Sequence, residues 1–153
     1  MTRRIAPLPH RHVLTLPARP ASVRTARETT QQLLAEWGIS PHHPAVDPAL
    51  LILSELVTNS VRHAASHSPH VTVSYAAGYD TLVFAVHDRH PYQPTLRTTP
   101  TGTTAGAVTG AATGGATTGL ATVAELTSSL AGSAVVHQDG DGGGKSICIT
   151  LPL

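Results

Sequence analysis

Three polar side chains recur at four-residue intervals within an otherwise apolar stretch of the chain. Glu55, Asn59 and His63 occupy positions i, i+4 and i+8, so they form one narrow stripe on a helix. A carboxylate in such a stripe can accept a proton from water or a hydroxyl group, and an amide oxygen is a ligand type that Mg²⁺ accepts. The spacing alone is explained at least as well by a second interpretation. In it the stripe is a solvent-exposed side of the helix whose polar residues at i and i+4 interact favourably.

The helix that carries this stripe is predicted to run from 47 to about 65. Asp47 supplies an N-cap, and Pro48 stands at the first helical position, where its missing N–H is tolerated. One broad apolar arc contains Leu50, Leu53, Leu56, Val57, Ser60, Val61 and Ala64. The stripe borders this arc, next to Ile52, whereas Ser54, Thr58 and Arg62 are expected to face water. The stripe should therefore lie at the boundary of the core.

The remaining elements are short, and their strands are mostly linked by hairpins. We predict an edge strand at 12–16, a helix at 21–37 with Ser22 as N-cap and Gly38 at its end, strands at 70–76 and 81–88, a helix at 119–131, and strands at 133–137 and 145–151. The intervening stretch 98–118 consists almost entirely of Thr, Gly and Ala. A segment of that length and composition is typical of a flexible lid.

This order of elements predicts the fold class and the domain organisation. Helices and hairpin-linked strands favour an α/β (α+β) two-layer sandwich, with a mixed, mostly antiparallel sheet and about three helices. The strands do not alternate regularly with helices, which argues against a doubly wound parallel sheet. We expect an N-terminal segment at 1–20 and a single domain at 21–153.

Composition excludes several classes of protein. The 153 residues carry a formal net charge of +1, so we expect no direct nucleic-acid binding. No apolar run approaches the roughly 18 residues that span a bilayer, and no signal peptide is visible, so a cytoplasmic protein without membrane contact is expected. Cys148 is the one cysteine of the chain, so an internal disulfide cannot form. Lys145 is the one lysine, which we interpret as compositional bias.

The segment S-E-L-V-T-N-S-V-R-H, residues 54–63, resembles the N box of the GHKL (histidine kinase-like) ATP-binding domains. It is most similar to small actinobacterial regulators related to the anti-sigma-factor serine kinases. The resemblance implies that Asn59 holds the Mg²⁺ bound to ATP and that Glu55 orients or deprotonates the attacking group. It also implies that His63 lies near the phosphates.

Two further segments resemble other boxes of the same family. The strand L-V-F-A-V-H-D ends in Asp88, which by resemblance to the G1 box would accept a hydrogen bond from the adenine amino group. The glycines of the family pattern Asp-x-Gly-x-Gly are missing after it. Thr118, Gly119 and Leu120 resemble the end of the G2 box, whose backbone N–H groups would meet the triphosphate. Thr117 replaces the first glycine of that box.

The resemblance implies an ATP-binding regulator with Mg²⁺, of the type that phosphorylates Ser or Thr on a protein partner. That partner would be a sigma factor or an anti-sigma antagonist, and a homodimer is compatible with the sequence. The substituted glycines leave open a non-catalytic module that binds nucleotide or has lost it. Ten histidines leave a third hypothesis, a metal site that uses pairs such as His63 with His67 or His87 with His90.

Overall fold

The computed structural model describes residues 8–64, 68–90 and 115–153 of the chain. In chain order these ranges contain β1 (His10–Pro17), α1 (Ala21–Glu36), α2 (Val46–Ala64), β2 (His70–Ala77), β3 (Thr81–Asp88), α3 (Gly115–Ser129), β4 (Ser133–Gln138) and β5 (Lys145–Pro152). Each of the predicted helices and strands is present, with ends that shift by a few residues.

The five described strands form one sheet in the order β1-β2-β3-β5-β4. Every pair of neighbours in it is antiparallel, so the described sheet is uniformly antiparallel rather than mixed. The three helices pack on it as a second layer, which confirms the predicted α+β sandwich. The N-terminal strand β1 is an edge strand of this sheet, as expected.

One face of the sheet forms half of the core. Burial alternates along β2, β3 and β5, as it does when a strand has one covered face. The buried side chains of these strands include Val71, Val73, Tyr75, Leu82, Phe84, Val86, Ile147, Ile149 and Leu151. The same alternation places Asp88 and Lys145 on this face, where they are direct partners in the β3–β5 register. A charged pair therefore closes one end of the buried face.

The long helix α2 supplies the other half of the core. Leu50, Leu53, Leu56 and Val57 are at most 2% exposed, as predicted for the apolar arc. Ile52, which was predicted to lie beside the polar stripe, is fully buried as well. The polar stripe lies at its boundary as expected, because Glu55 and Asn59 are half-buried while His63 is exposed. The helix begins at Val46, so Asp47 lies in its first turn rather than at the N-cap.

The first helix corrects the prediction for Ser22. The N-cap position of α1 is Pro20, and no side chain caps the helix there. Ser22 instead lies inside the first turn, where its buried hydroxyl donates to the carbonyl of Pro17 at 2.6 Å and ties α1 to the end of β1. Gly38 ends the helix with φ +76°, a conformation that glycine adopts without strain.

The core between α1 and the sheet holds one buried polar pair. The hydroxyls of Thr30 and Tyr75 are 2.7 Å apart, and Thr30 itself donates to the carbonyl of Ala26. Tyr75 is therefore the donor to Thr30. Burial raises the pKa of Tyr75 above 10.0, so the phenol remains a hydrogen-bond donor at physiological pH.

The third helix begins earlier than the sequence predicted. It starts at Gly115 rather than at Gly119, so the last four positions of the predicted lid, 115–118, form its first turn. The rest of the lid, 98–114, lies outside the described residues. In an α-helix the backbone N–H groups without an intrahelical partner are those of the first turn. Gly119 and Leu120 were expected in that first turn of α3, but they lie in its second turn.

Candidate functional site

The carboxylate of Glu55 lies against the backbone of α3. A Cβ built on Gly119 would be 2.6 Å from Glu55 Oε2, closer than non-bonded atoms approach. Only a residue without a Cβ leaves the carboxylate its observed place. Two predicted site residues, 64 positions apart in the chain, are thus brought into contact at the point where α2 meets the start of α3.

A different face of α2 contacts the end of β3. Ser60 follows Asn59 directly, and its hydroxyl donates to Asp88 Oδ2 at 2.7 Å. Five residues separate Glu55 from Ser60, which corresponds to about 7.5 Å along the helix axis. The half-buried Asn59 therefore lies between a contact with α3 and a contact with β3. The contact of Glu55 with Gly119 and the contact of Ser60 with Asp88 thus lie within two turns of each other along α2.

Asp88 accepts three hydrogen bonds from described residues. Its Oδ1 accepts from Lys145 Nζ at 2.9 Å and from the backbone N–H of His90 at 3.0 Å. Together with Ser60 on Oδ2, three of about four acceptor positions of the carboxylate are used. Among the described residues, one position remains, on Oδ2. Asp88 can therefore accept one further hydrogen bond.

The ion pair between Asp88 and Lys145 is buried. The two side chains are 2% and 4% exposed. Burial of an unpaired charge costs several kcal/mol, so each of the two groups depends on the other. This contact links the last residue of β3 to the first residue of β5.

Sequence reasoning missed both Lys145 and Ser60. No role was predicted from the sequence for the one lysine of the chain, whereas in the structure it forms an ion pair with Asp88. Ser60 carried a usable signal, because a hydroxyl within an apolar arc needs a buried partner. The signal for Lys145 was weaker, since it required the β3–β5 register, which the sequence does not determine.

An exposed charge cluster ties the turn between β4 and β5 to the end of β3. Arg89 donates to Asp139 at 2.7 Å and to Asp141 at 2.9 Å. The hydrogen bond from His87 is the largest cause that lowers the pKa of Asp139, and the one from Arg89 is the largest for Asp141. Both carboxylates therefore stay ionised at neutral pH. The contribution of the cluster to stability is complete there and is lost only as the pH falls through these lowered pKa values.

The turn itself is packed tightly on β3. A Cβ at Gly144 would lie 2.7 Å from the backbone oxygen of Asp88 and 3.1 Å from Cα of Arg89. Backbone atoms cannot yield as a flexible side chain can. Glycine at this position therefore lets β5 begin directly beside Asp88, and this places Lys145 against the carboxylate.

The other predicted site residues have less specific surroundings. His63 is exposed on the last turn of α2. Leu120 is half-buried and packs against the core. Thr118 lies in the first turn of α3. Backbone N–H groups at the start of a helix lack intrahelical partners.

The described residues contain no cluster suited to a transition metal. No group of three or more His, Cys, Asp or Glu side chains converges in the ranges 8–64, 68–90 and 115–153. His87 contacts Asp139 at 2.9 Å, and His67 lies outside the described residues.

A separate cavity of about 690 Å³ lies at the opposite end of the sheet, beside the start of β3. It is lined by Trp37, which stacks on His10 with ring centroids 5.3 Å apart, and by the exposed Tyr79. None of the predicted site residues borders it. The cavity is therefore distinct from the region around Glu55 and Asp88.

The fold and the arrangement around α2 correspond to one known class of domain. The sequence model of the histidine kinase-like ATPase domain matches residues 16–151, which is most of the chain. The protein therefore belongs to the histidine kinase-like ATPase family, as the N-box resemblance indicated. No curated protein matches it significantly.

A solved structure shows the same fold. The crystal structure of the RsbU and RsbW domains of Rv1364c from Mycobacterium tuberculosis aligns with a TM-score of 0.61 and 23% sequence identity. The alignment covers 94% of this chain and 33% of that one, so this chain spans about a third of the length of its structural relative. At this level of identity the likeness establishes the fold.

The described helices are too short or too polar to cross a bilayer. No helix in the described ranges combines the length and the apolar character that a membrane span requires.

Proposed function

We propose that this protein is an ATP-binding regulator that uses Mg-ATP to phosphorylate a serine or threonine of a protein partner. The observation that carries the proposal is the contact of Glu55 with Gly119, one helical turn from Asn59. It combines a carboxylate and an amide oxygen with the start of a helix whose first-turn N–H groups suit phosphate. Membership of the histidine kinase-like ATPase family supports the same nucleotide.

The described residues fit a bound nucleotide at both of its ends. Contacts with the described residues leave Asp88 one acceptor position, on Oδ2, which suits the amino group of adenine. Phosphates would approach the N–H groups of residues 115–118. Mg²⁺, held through the amide oxygen of Asn59, would neutralise charge on the phosphates. Asn59 is half-buried at the helix boundary, so its amide is reachable without disturbing the core.

The proposed step is an in-line transfer of the terminal phosphoryl group. The hydroxyl oxygen of the partner's serine or threonine attacks the γ-phosphorus, and Glu55 accepts the proton of that hydroxyl. The bond from that phosphorus to the bridging oxygen breaks, and ADP leaves with the bridging oxygen. Such transfers depend on positioning and charge stabilisation rather than on covalent catalysis, so the place of Glu55 against α3 is central.

Asn59→Ala tests the cation-binding part of the proposal. The variant should bind Mg-ATP at least about tenfold more weakly, while ATP binding with EDTA present should change little. Isothermal titration with and without Mg²⁺ measures both quantities. Ser54→Ala, on the same helix but outside the stripe, is the matched control. A folded Asn59→Ala variant with unchanged Mg-ATP affinity would contradict the assignment.

Gly119→Ala tests the contact between α3 and Glu55. Alanine is the better helix former by about 1 kcal/mol, and the added Cβ meets only the mobile end of a side chain, so the fold should persist. The carboxylate must move, however, and phosphoryl transfer should slow by at least about tenfold. Melting curves and initial rates measure the two effects, with the exposed Ser128→Ala as control. An unchanged rate would show that the position of Glu55 does not matter.

A second candidate function is a binding module without catalysis. The hydrogen bonds that Asp88 already accepts favour it, because Lys145, His90 and Ser60 occupy three of its about four acceptor positions. The lack of glycines after Asp88 also favours a binding module without catalysis. Such a module would sequester its partner, a sigma factor or an anti-sigma antagonist, as a monomer or a homodimer. ATP titration followed by a kinase assay with candidate partners separates the two functions.

A further inference from the structure

The cavity beside the start of β3 is separate from the proposed nucleotide site and has the size of a ligand site. Its volume of about 690 Å³ lies within the range of small-molecule sites, roughly 300–1,000 Å³. A Cβ built on Gly38, which lines the cavity, would meet no atom beyond its chain neighbours within 4 Å, so the space there is open. We propose that the cavity binds a small aromatic zwitterion, a molecule of the class of the aromatic amino acids.

Aromatic rings are concentrated around this cavity in a chain that has few of them. The chain contains one Trp, three Tyr and one Phe, and of these Trp37 and Tyr79 line the cavity. His10 adds a third ring, which stacks on Trp37 with an angle of 19° between the ring planes. His10 is itself exposed, so a ligand ring can extend this stack. The lining therefore favours a flat aromatic ligand.

Tyr79 occupies a position where the fold by itself gives an aromatic ring no role. It lies with Asp80 at the tip of the turn between β2 and β3, which a hydrogen bond from the N–H of Gly78 to the carbonyl of Thr81 closes. Turns usually take Gly, Pro, Asn, Asp or Ser at such positions. Tyr79 is 101% exposed, so its ring buries no apolar surface in the free protein. A ligand in the cavity would cover this ring.

The loop after α1 offers hydrogen-bond donors to a ligand. The backbone N–H of Ala45 donates to His43 Nδ1 at 3.1 Å, so the ring proton of His43 is on Nε2. Ser40 Oγ accepts from the N–H of His42 at 3.2 Å, and its own O–H makes no hydrogen bond with a described residue. His43 and Ser40 both line the cavity. Their two donors suit a carboxylate.

The β2–β3 turn offers the opposite charge. Asp80 lines the cavity, and no lysine or arginine is among the described residues that do. Asp80 Oδ1 accepts from the hydroxyl of Thr81 at 3.0 Å, whereas Oδ2 has no hydrogen-bond partner among the described residues. An ammonium group is the complement of this carboxylate, and the ring of Tyr79 also attracts a cation. A ligand with an aromatic ring, a carboxylate and an ammonium therefore matches all three parts of the lining.

The first test uses the wild-type protein and L-tryptophan as the probe. Trp37 is the one tryptophan of the chain, so the ¹⁵N-labelled protein gives one indole N–H resonance, and its shift reports on the cavity. We expect a saturable shift with a Kd between about 10 μM and 1 mM. Tryptamine, which lacks the carboxylate, and indole-3-propionate, which lacks the ammonium, should bind at least about tenfold more weakly. L-Leucine, which lacks the ring, should cause no saturable shift.

Two results of this titration would overturn the inference. One is the absence of a saturable shift with L-tryptophan, and the other is equal binding of L-tryptophan and either indole analogue. Affinity for Mg-ATP is measured on the same protein in a separate titration. Loss of the first with normal Mg-ATP binding would refute this site alone, and the reverse would refute the proposed nucleotide site alone.

The second test changes the carboxylate and the exposed ring. Asp80→Asn keeps a residue that turns accept, so the fold should persist. It should weaken L-tryptophan at least about tenfold and leave indole-3-propionate no weaker, because only the former carries an ammonium. Tyr79→Ala should weaken L-tryptophan by about two- to tenfold without a change in melting temperature. Asp47→Asn, an exposed residue on α2 that does not line the cavity, is the control. Unchanged L-tryptophan affinity in folded Asp80→Asn would refute the assigned ligand class.

Discussion

Glu55→Gln is expected to slow phosphoryl transfer by roughly 10²–10⁴, the usual contribution of a general base. Glutamine keeps the shape of the side chain and its hydrogen-bonding reach toward α3, but it cannot accept the proton of the attacking hydroxyl. Affinity for Mg-ATP should stay within a few-fold, because the proposed contacts to base and cation belong to Asp88 and Asn59. Transfer of labelled phosphate to a partner, or slow ATP hydrolysis, measures the rate.

The control for this variant is Glu125→Gln, which changes an exposed glutamate on α3. The free energy of unfolding should change little in either variant, since Glu55 is half-buried at the edge of the apolar arc. An active wild type whose rate is indifferent to Glu55→Gln would remove the general base from the mechanism. ATP binding by the wild type without turnover on any partner would favour the binding module.

Lys145→Met should lower the free energy of unfolding by about 3–5 kcal/mol, because it leaves the carboxylate of Asp88 buried without its cation. Asp88→Asn combined with Lys145→Met should recover much of that loss, since neither group is then charged. Denaturant unfolding of the wild type, both single variants and the double variant gives the coupling energy between the two side chains.

A second variant among the hydrogen-bond partners of Asp88 tests whether loss of the charge causes the expected destabilisation of Lys145→Met. Ser60→Ala removes one neutral donor from Asp88 and should cost about 1–3 kcal/mol, less than loss of the ammonium. Equal costs for Ser60→Ala and Lys145→Met, or strictly additive costs for Asp88→Asn and Lys145→Met, would contradict a coupled buried pair.

The amino-acid sequence by itself determined the helices, the strands and the family. The helix around Glu55 and Asn59 is indicated by apolar residues that recur with a period of 3.6. The strands β2, β3 and β5 are indicated by alternation of apolar and polar residues. Both are local patterns and can be read without knowledge of the fold. The segment 54–63 identified the family because its residues are adjacent in the chain. The N-caps of α1 and α2 and the beginning of α3 were less well predicted. Local capping signals compete there with tertiary contacts, as for Ser22.

Only the tertiary structure decided which side chains meet. Strand register places Lys145 beside Asp88, and the packing of α2 on the sheet brings Ser60 to the same carboxylate. The packing of α3 on α2 sets Gly119 against Glu55. These contacts join residues 28, 57 and 64 positions apart, and no local periodicity encodes such pairings. They follow from the burial of the shared core, which selects one register and one helix packing for the chain as a whole.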